Sequence, residues 1–338
     1  MKKTLFAVLS LTLLVGHAYA LDYRAVPDWQ KLPTGYAQLG NMHGDIAVSA
    51  NGEVYVSLMD SQAGLLVFAP DGTFRRKVPN APNDFHGFVI HQEKEGEFIY
   101  GPRMEGQSIV KMTLEGRVIF EIPASAIPDQ FKIPKPKSTK KNALGEVEKD
   151  PAEGKLFVRL TGLDIAPNGD LFVTDGYASD YVHRFDRKGT YLNSFGGKQA
   201  PYGFHTLHKI AIDPRFTPAR IIACDRANMR VVHLSLDGEF LGVVARDLLM
   251  PAAVAIHGDY AAIGELRGPI TILDKTGRVV AKFATNPNAS EVGTNKTEPV
   301  RWRPGIVNAP HGVAFNEHGD LFVSEYSLFG RVHRFNLQ

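Results

Sequence analysis

Turn signals recur along this chain at a nearly constant spacing. They come as pairs of glycines that lie 20, 20, 20 and 19 residues apart: Gly52 and Gly72, Gly96 and Gly116, Gly169 and Gly189, and Gly258 and Gly277. Several of these glycines follow Asn or Asp, and such pairs favour the positive φ angles of tight hairpin turns. The regular spacing predicts an internal repeat in which each unit contains several short strands.

The segments between the turns alternate apolar and polar residues as half-buried strands do, for example residues 169–175 and 319–325. Six units can be aligned on their first strand, which begins near Gly44, His86, Thr161, His208, Ala252 and His311. Units of roughly 40 to 50 residues with about four strands each predict an all-β fold, a six-bladed β-propeller whose first strands line a central channel. The last unit ends after its third strand, so we expect an N-terminal strand, near residues 36–39, to complete it.

The first 20 residues have the three parts of a secretory signal. Lys2 and Lys3 precede an apolar run, and Ala18-Tyr19-Ala20 is a cleavage site for removal after Ala20. We therefore expect a periplasmic or secreted protein whose mature part, residues 21–338, is a single propeller domain. Cys224 is the only cysteine, which excludes an internal disulfide and a cysteine-based zinc cluster.

The charge balance and two insertions complete this outline. A formal net charge of +2 with mixed signs gives no electrostatic basis for binding nucleic acid or a membrane, and we expect a monomer. The repeat is interrupted near residues 124–155, which are rich in Lys, Pro and Glu, and near residues 286–307. The second insertion contains Arg301, Trp302 and Arg303, so we expect it to form a lid.

A histidine occupies one position of the aligned first strands in every second unit. Two residues before each apolar triplet the chain has, in order, Gly44, His86, Thr161, His208, Ala252 and His311. Alternate blades of a six-bladed ring are about 120° apart, so the three histidines would point at one spot while the small residues leave room between them. Three converging neutral imidazoles form a metal site, and we predict that His86, His208 and His311 bind a divalent metal.

The alternative is that these histidines only cap the channel through hydrogen bonds and waters. Their alternation with small residues favours the metal, with Zn²⁺ as the first choice and Fe²⁺ or Cu²⁺ as further ones. The remaining histidines are out of this register. His43 and His205 are candidates for groups that support the ligands, whereas His183, His233 and His333 fall in outer strands, where we expect structural roles.

A second set of polar residues lies where the second strand of several blades ends. It contains Tyr177 and Arg226, with Arg103 and Arg267 at matching places in other blades. A tyrosine there can exchange a proton near a metal, and an arginine can hold a carboxylate by two bonds. The acids of this set are interpreted as structural, because carboxylates at strand ends commonly accept backbone N–H bonds. These acids are Asp175, Asp225 and Glu325.

These motifs resemble those of a known family, and the residues that carry the resemblance are 161–164, 175–177, 208–211, 225–230 and 310–313. They are similar to NHL-repeat six-bladed propellers and, among these, to the catalytic domain of the peptidyl-α-hydroxyglycine α-amidating lyases. The resemblance covers the second to sixth units. It implies zinc on the three register histidines, catalytic roles for Tyr177 and Arg226, and a small-molecule or peptide-derived substrate.

Two positions differ from the pattern of that family. The family has a catalytic arginine at the end of the second strand of its first blade, where this chain has Met59 and Asp60. Arg103, Arg267 or an arginine among residues 301–303 could supply that charge. The family also has an aspartate, linked to a structural calcium, directly after its last zinc histidine, where this chain has Gly312, so the resemblance gives no support for calcium.

The sequence therefore predicts an exported metal-dependent lyase-like enzyme that acts on a small hydroxylated or carboxylated substrate. Two alternatives stay open. One is a non-catalytic NHL propeller that binds a partner. The other is a different three-histidine metal enzyme, either a hydrolase or lactonase or an oxidative enzyme. Lactonases of the gluconolactonase type use a carboxylate-led calcium site, and the histidines in this channel argue against that type.

Overall fold

A computed structural model describes residues 21–60, 63–142 and 145–338, so the predicted signal segment lies outside the described residues. The strands are β1 (Tyr23–Ala25), β2 (Ile46–Val48), β3 (Val54–Asp60), β4 (Ala63–Phe68), β5 (Phe74–Lys77), β6 (Val89–Glu93), β7 (Gly96–Arg103), β8 (Ser108–Thr113), β9 (Val118–Pro123), β10 (Ile133–Pro134), β11 (Leu156–Phe157), β12 (Gly162–Ile165), β13 (Leu171–Thr174), β14 (Tyr181–Phe185), β15 (Tyr191–Gly196), β16 (Leu207–Asp213), β17 (Arg220–Asp225), β18 (Arg230–Ser235), β19 (Phe240–Ala245), β20 (Pro251–His257), β21 (Tyr260–Glu265), β22 (Ile270–Leu273), β23 (Val279–Phe283), β24 (Pro310–Phe315), β25 (Leu321–Glu325) and β26 (Val332–Leu337).

The described residues contain little helix. Their helical segments are four 3-10 turns of three residues each: Ala124–Ala126, Asp129–Phe131, Ala289–Glu291 and Pro299–Arg301. Within the described part of the chain, no helix has the length and apolar character needed to cross a membrane.

The long-range pairing of the strands produces six antiparallel four-stranded sheets. These blades are β2–β5, β6–β9, β12–β15, β16–β19, β20–β23, and β24–β26 together with β1. The first strand of each blade contacts the first strands of both neighbouring blades, and β24 contacts β2 to close the ring. The chain is therefore a six-bladed β-propeller, and the fold predicted from the repeat is confirmed.

The apolar core lies between adjacent blades rather than at the centre of the ring. Tyr55 and Leu65 of the first blade pack with Phe85 and Ile99 of the second, and all four are completely or almost completely buried. This arrangement explains the apolar alternation in the sequence, because residues two apart on a strand face the same neighbouring blade.

The glycines of the paired turns have the backbone conformation that their spacing predicts. All eight have positive φ, for example 82° at Gly52 and 83° at Gly72. At Gly72 a side chain would also collide with the carbonyl group of Trp29. The glycine spacing therefore marks the hairpin turns of the blades.

An N-terminal strand completes the sixth blade, but it is not the expected one. β1 pairs antiparallel with β26, with Tyr23 opposite Leu337 and Ala25 opposite Phe335. The position near residues 36–39 is wrong, because that segment forms no strand: it contacts the sixth blade through the Leu39 amide and the packing of the Leu39 side chain. The missed signal is the alternation of Leu21, Tyr23 and Ala25, which pack on the core between the last two blades.

The two insertions lie in different surroundings. In the first, β10 pairs with β11, and the segment lines a cavity of about 380 Å³ that reaches Tyr177. In the second, Arg303 bonds Asn286, and the guanidinium of Arg331 lies 4.9 Å from the ring centre of Trp302. Trp302 and Arg303 are thus held beside the sixth blade. The insertion that extends to Tyr177 is the first one, not the one expected to form a lid.

Candidate metal centre and channel mouth

The inner strands bring the three register histidines together on the axis of the ring. The ring centre of His86 lies 4.8 Å from that of His208 and 4.7 Å from that of His311. The ring centres of His208 and His311 are 4.9 Å apart. All three are buried, with exposures of 1%, 1% and 3%. The alternation seen in the sequence therefore becomes a compact cluster of imidazoles in the channel.

Each of these rings is oriented by a backbone carbonyl of the next blade. Nδ1 of His86 lies 2.7 Å from the carbonyl oxygen of Thr161. The equivalent distances are 2.6 Å from His208 to Ala252 and 2.9 Å from His311 to Gly44. A carbonyl oxygen can only accept, so Nδ1 carries the proton and Nε2 carries the free lone pair. The small residues that alternate with the histidines thus supply the groups that orient the rings.

The charge state of the cluster suits a metal. Burial lowers the pKa of all three imidazoles well below the ordinary value of 6.5, and neighbouring imidazoles and Arg226 lower it further. The rings are therefore neutral at pH 7, and neutral imidazole is the form that binds metals. Metal binding at this pH would not require the removal of a proton from these residues.

Tyr177 brings a hydroxyl group into the cluster. Its Oη lies 3.1 Å from Nε2 of His86 and 3.0 Å from Nε2 of His208. Nη1 of Arg226 donates to the same oxygen at 3.1 Å. The hydroxyl has one proton, so it can satisfy only one of the two imidazole lone pairs.

The Nε2 atom of the third imidazole has no partner in the described part of the protein. Nε2 of His311 is buried and lacks a hydrogen-bond partner there. A buried polar atom without a partner is costly, and natural proteins avoid it unless another group occupies the site. The three Nε2 atoms offer three lone pairs, and the Tyr177 hydroxyl offers only one proton to them. A cation could accept the remaining lone pairs, and neutral imidazoles are ligands that suit a divalent transition metal.

A fourth histidine, His43, completes the group. Its ligand nitrogen lies within 4.8 Å of those of His86 and His311, close enough for the three to hold a metal ion together. Its Nε2 is 3.4 Å from Oη of Tyr177. The sequence placed His43 one residue out of register, as a supporting group. Its position directly before Gly44, which occupies the same aligned position as the three histidines, was the sequence signal that His43 could reach the metal centre.

Directly beneath the histidines, one ion pair crosses the channel. Lys209 follows His208, Asp45 follows Gly44, and their side chains form a buried salt bridge. They belong to the fourth and first blades, which lie opposite each other in a ring of six. A Cβ atom at Gly312 would collide with the Asp45 carboxylate. In the layer below the histidines the carboxylate therefore belongs to Asp45. The family that the sequence resembles has its aspartate at the position of Gly312 instead.

Above the histidines the channel opens into a cavity of about 320 Å³. Its lining residues are His43, Arg159, Tyr177, Arg226, Leu266, His311 and Tyr326. The guanidinium groups of Arg226 and Arg159 lie 5.2 Å and 5.5 Å from the ring centre of Tyr177. Two positive charges and a phenol thus stand at the open side of the histidine cluster.

Of the four polar residues predicted for this site, the structure brings two together. Tyr177 and Arg226 are in contact at the mouth. Arg103 instead pairs with Asp84 at 3.0 Å and is absent from the cavity lining, and Arg267 is exposed. Sequence reasoning missed Arg159, because it lies in the irregular segment that leads from β11 into the third blade.

The acids at the strand ends have structural partners. Asp175 accepts the backbone N–H of Arg159, and Asp225 accepts that of His205. Glu325 accepts the backbone N–H of Asn308 and pairs with Arg331 at 3.3 Å. The bond from Arg159 to Asp175 has a consequence for the site, since it fastens Arg159 to the turn that carries Tyr177.

Comparison with known proteins agrees with this fold and finds distant sequence similarity to one kind of lyase. No protein-family model matches the chain. It is 27% identical over 206 residues to peptidyl-alpha-hydroxyglycine alpha-amidating lyase 1 of Drosophila melanogaster, which covers 55% of this chain and 36% of that protein. It is 25% identical over 202 residues to a probable lyase of the same kind from Caenorhabditis elegans, covering 54% and 51%. The chain thus spans about half or less of the length of these relatives.

Solved structures with the same fold cover most of the chain. Virginiamycin B lyase from Staphylococcus aureus has a TM-score of 0.56 and 12% identity, over 94% of this chain and 100% of that one. A gluconolactonase from Xanthomonas campestris has a TM-score of 0.58 and 11% identity, over 89% of each chain. At such identities the likeness is one of fold. The chain is thus a six-bladed β-propeller with distant sequence similarity to the peptidyl-α-hydroxyglycine α-amidating lyases.

Proposed function

We propose that this protein is an exported, metal-dependent enzyme of the lyase type that acts on a small hydroxylated or carboxylated substrate. One observation carries the proposal. Three buried Nε2 lone pairs converge in the channel, and among the described residues only the Tyr177 hydroxyl is within hydrogen-bonding distance of any of them. His86, His208 and His311 would hold a divalent cation, most simply Zn²⁺, which would polarise a substrate oxygen as a Lewis acid.

The lyase class is supported by the curated relatives, which are named as peptidyl-α-hydroxyglycine α-amidating lyases. The chain spans about half or less of the length of these relatives, and we propose the same type of reaction for it. The local chemistry is compatible with it, because the cavity combines a phenol with two arginines next to the histidines.

Tyr177 is proposed as the base that accepts the hydroxyl proton of the substrate. Burial raises the pKa of the phenol above its usual value, and Arg226 and Arg159 offset only part of that rise. The Nη1 atom of Arg226, 3.1 Å from Oη, would stabilise the phenolate by a charge-assisted hydrogen bond. The phenol is therefore protonated in the metal-free protein, and a cation held by the histidines, together with the two guanidinium groups, would favour the phenolate that can take up a proton.

Arg226 and Arg159 are proposed to bind the substrate carboxylate. Both line the cavity, and a guanidinium can hold a carboxylate by two parallel bonds. With an α-hydroxyglycine substrate, Tyr177 takes the hydroxyl proton and the carbon–oxygen bond becomes a carbonyl. The carbon–nitrogen bond then breaks, and the leaving nitrogen takes the proton that Tyr177 received. Glyoxylate and an amide are the balanced products.

Metal analysis of the purified protein tests the centre. We expect about one equivalent of divalent metal after reconstitution, and a large loss of affinity in His208→Ala. His205→Ala is the matched control, because this histidine is exposed, whereas His208 is buried, and its loss should leave the metal content unchanged. Less than about half an equivalent in the wild type would remove the metal centre from the proposal.

The reaction is tested by measuring glyoxylate release from an α-hydroxyglycine compound. Tyr177→Phe should lower kcat by about 10² to 10⁴-fold, because it removes the proton acceptor. Tyr181→Phe, in the same blade but outside the cavity lining, should retain full activity. Absence of glyoxylate release from metal-loaded wild type would rule out this substrate class.

Export is proposed from the sequence of the first 20 residues. The mass of the protein isolated from its natural host should correspond to a chain that begins at Leu21. β1 begins at Tyr23, so cleavage after Ala20 would leave the closing strand intact. Recovery of a chain that still begins at Met1 would contradict this part of the proposal.

A further inference from the structure

A fourth imidazole stands at the open side of the three register histidines. We propose that His43 is a fourth and exchangeable ligand of the metal, which closes the resting site and is displaced when a ligand enters the cavity. This inference rests on the metal centre of the proposed function. It adds a way in which access to that centre is controlled.

His43 contacts two of the three register histidines, His86 and His311. Its ring centre lies 4.8 Å from that of His86 and 4.9 Å from that of His311. The register histidines are separated by the same distances, from 4.7 to 4.9 Å. The nitrogens of His43, His86 and His311 all lie within 4.8 Å of one another. His43 therefore has the geometry of a ligand, not of a group that merely supports one.

His43 differs from the other three in how its ring is held. Each register histidine is buried and donates Nδ1–H to a backbone carbonyl. His43 is only partly buried, and among the described residues its Nδ1 has no hydrogen-bond partner. Its backbone neighbour Met42 is fixed by two hydrogen bonds with Ser327, of 2.7 Å and 2.9 Å. Displacement of the ring would break its contacts in the channel, such as that with Tyr326 at 4.5 Å between ring centres, and would leave the backbone in place.

The surroundings of His43 explain what would displace it. It lines the mouth cavity together with Arg159, Arg226 and Tyr326. A ligand carboxylate bound by the two arginines would occupy space next to the His43 ring. Zinc sites with four protein ligands are closed, whereas catalytic sites keep one position open. Rotation of one side chain would therefore convert a closed centre into an open one.

Cobalt substitution provides the test, because the visible spectrum of Co²⁺ reports its ligands. We expect the spectrum of the wild type loaded with Co²⁺ to differ from that of His43→Ala and His43→Gln, and X-ray absorption to count four imidazoles in the wild type and three in the variants. Azide, a small anionic probe, should bind the Co²⁺ form of both variants about tenfold more tightly, since it need not displace an imidazole. His205→Ala should behave as the wild type.

The outcomes separate this inference from the proposed function. The role of His43 would be overturned if the wild type and both His43 variants bound metal and had identical spectra and identical azide affinities. That result would leave the metal centre of the proposed function intact. Absence of Co²⁺ and Zn²⁺ binding by the wild type would remove the metal centre and this inference with it. His43→Gln keeps a side chain of similar length, so a folding defect confined to His43→Ala would leave the test in place.

Discussion

Asp45 and Lys209 form a buried ion pair across the channel, directly beneath the histidines. The layer that follows the register position contains Asp45 and Lys209 and is otherwise made of glycine and alanine. The small residues are Gly87, Gly162, Ala253 and Gly312. The two charged side chains can meet across the axis only because the other four positions leave the channel open.

Loss of this ion pair should destabilise the protein strongly. Lys209→Met leaves the buried Asp45 carboxylate without its counter-charge, which typically costs about 3 to 5 kcal/mol of the free energy of unfolding. The double variant Lys209→Met with Asp45→Asn should recover much of this loss, because no unpaired charge remains. Urea unfolding of the three proteins measures both effects.

Lys140→Met is the control for the ion pair. Lys140 pairs with Glu148 at 3.1 Å, but its side chain is 79% exposed, and exposed pairs contribute little to stability. If Lys209→Met were no more destabilising than Lys140→Met, the bridge across the channel would not have the structural role inferred here.

At the residue scale, the repeat accounts for residues that meet in the channel, although Arg103 and Arg267, at matching places in other blades, do not reach the cavity. His86, His208 and His311 share one register position, and Tyr177 and Arg226 both follow the second strand of a blade. His43 and Arg159 belong to connecting segments, whose paths have no period. Their arrival at the site depends on contacts such as the bond between the Arg159 amide and Asp175.

At the scale of elements, β1 strengthens the closure of the ring by completing the sixth blade. It supplies the outer strand of a blade whose other three strands come from the opposite end of the chain. Tyr23 stacks on Phe283 of the fifth blade with ring centres 4.8 Å apart. The strand thus joins the N-terminus to the sixth blade by backbone pairing and to the fifth by an aromatic contact.

Truncation of this contact should weaken the closure. Tyr23→Ala removes an aromatic ring from the core between the last two blades and is expected to lower the free energy of unfolding by about 2 kcal/mol. Arg24→Ala is the matched control, because this neighbouring side chain is exposed, and it should change stability by less than about 0.5 kcal/mol. Thermal unfolding of both variants compares them directly. Equal stability of the two would contradict a role for Tyr23 in closure.

For the whole molecule, the buried histidines make the metal-free protein sensitive to acid. Histidines of the unfolded chain take up protons near pH 6.5, whereas burial lowers the pKa of His43 to about 4 and those of His86, His208 and His311 well below 6.5. The unfolded state therefore binds more protons between these values. The stability that this provides is complete above pH 6.5 and is lost as the pH falls toward the folded pKa values.

Urea unfolding of the metal-free protein at several pH values tests this dependence. The free energy of unfolding should decrease from pH 7 to pH 5, by up to about 1.4 kcal/mol per pH unit for each such histidine. His311→Ala lacks one of these groups and should show a shallower decrease. His318→Ala removes an exposed histidine and should keep the slope of the wild type. If the free energy of unfolding of His311→Ala decreased with pH as steeply as that of the wild type, the lowered pKa of His311 would not be a source of the acid sensitivity.

The sequence by itself determined the number of blades, the hairpin turns and the register that brings three histidines to one level of the channel. These follow from a repeat, and a repeat is local information, since each unit encodes the same strands and turns. Only the tertiary structure decided that His43 and Arg159 join the site, that Asp45 meets Lys209, and that β1 closes the ring. Those contacts join distant parts of the chain, and they exist only once six blades have been set around one axis.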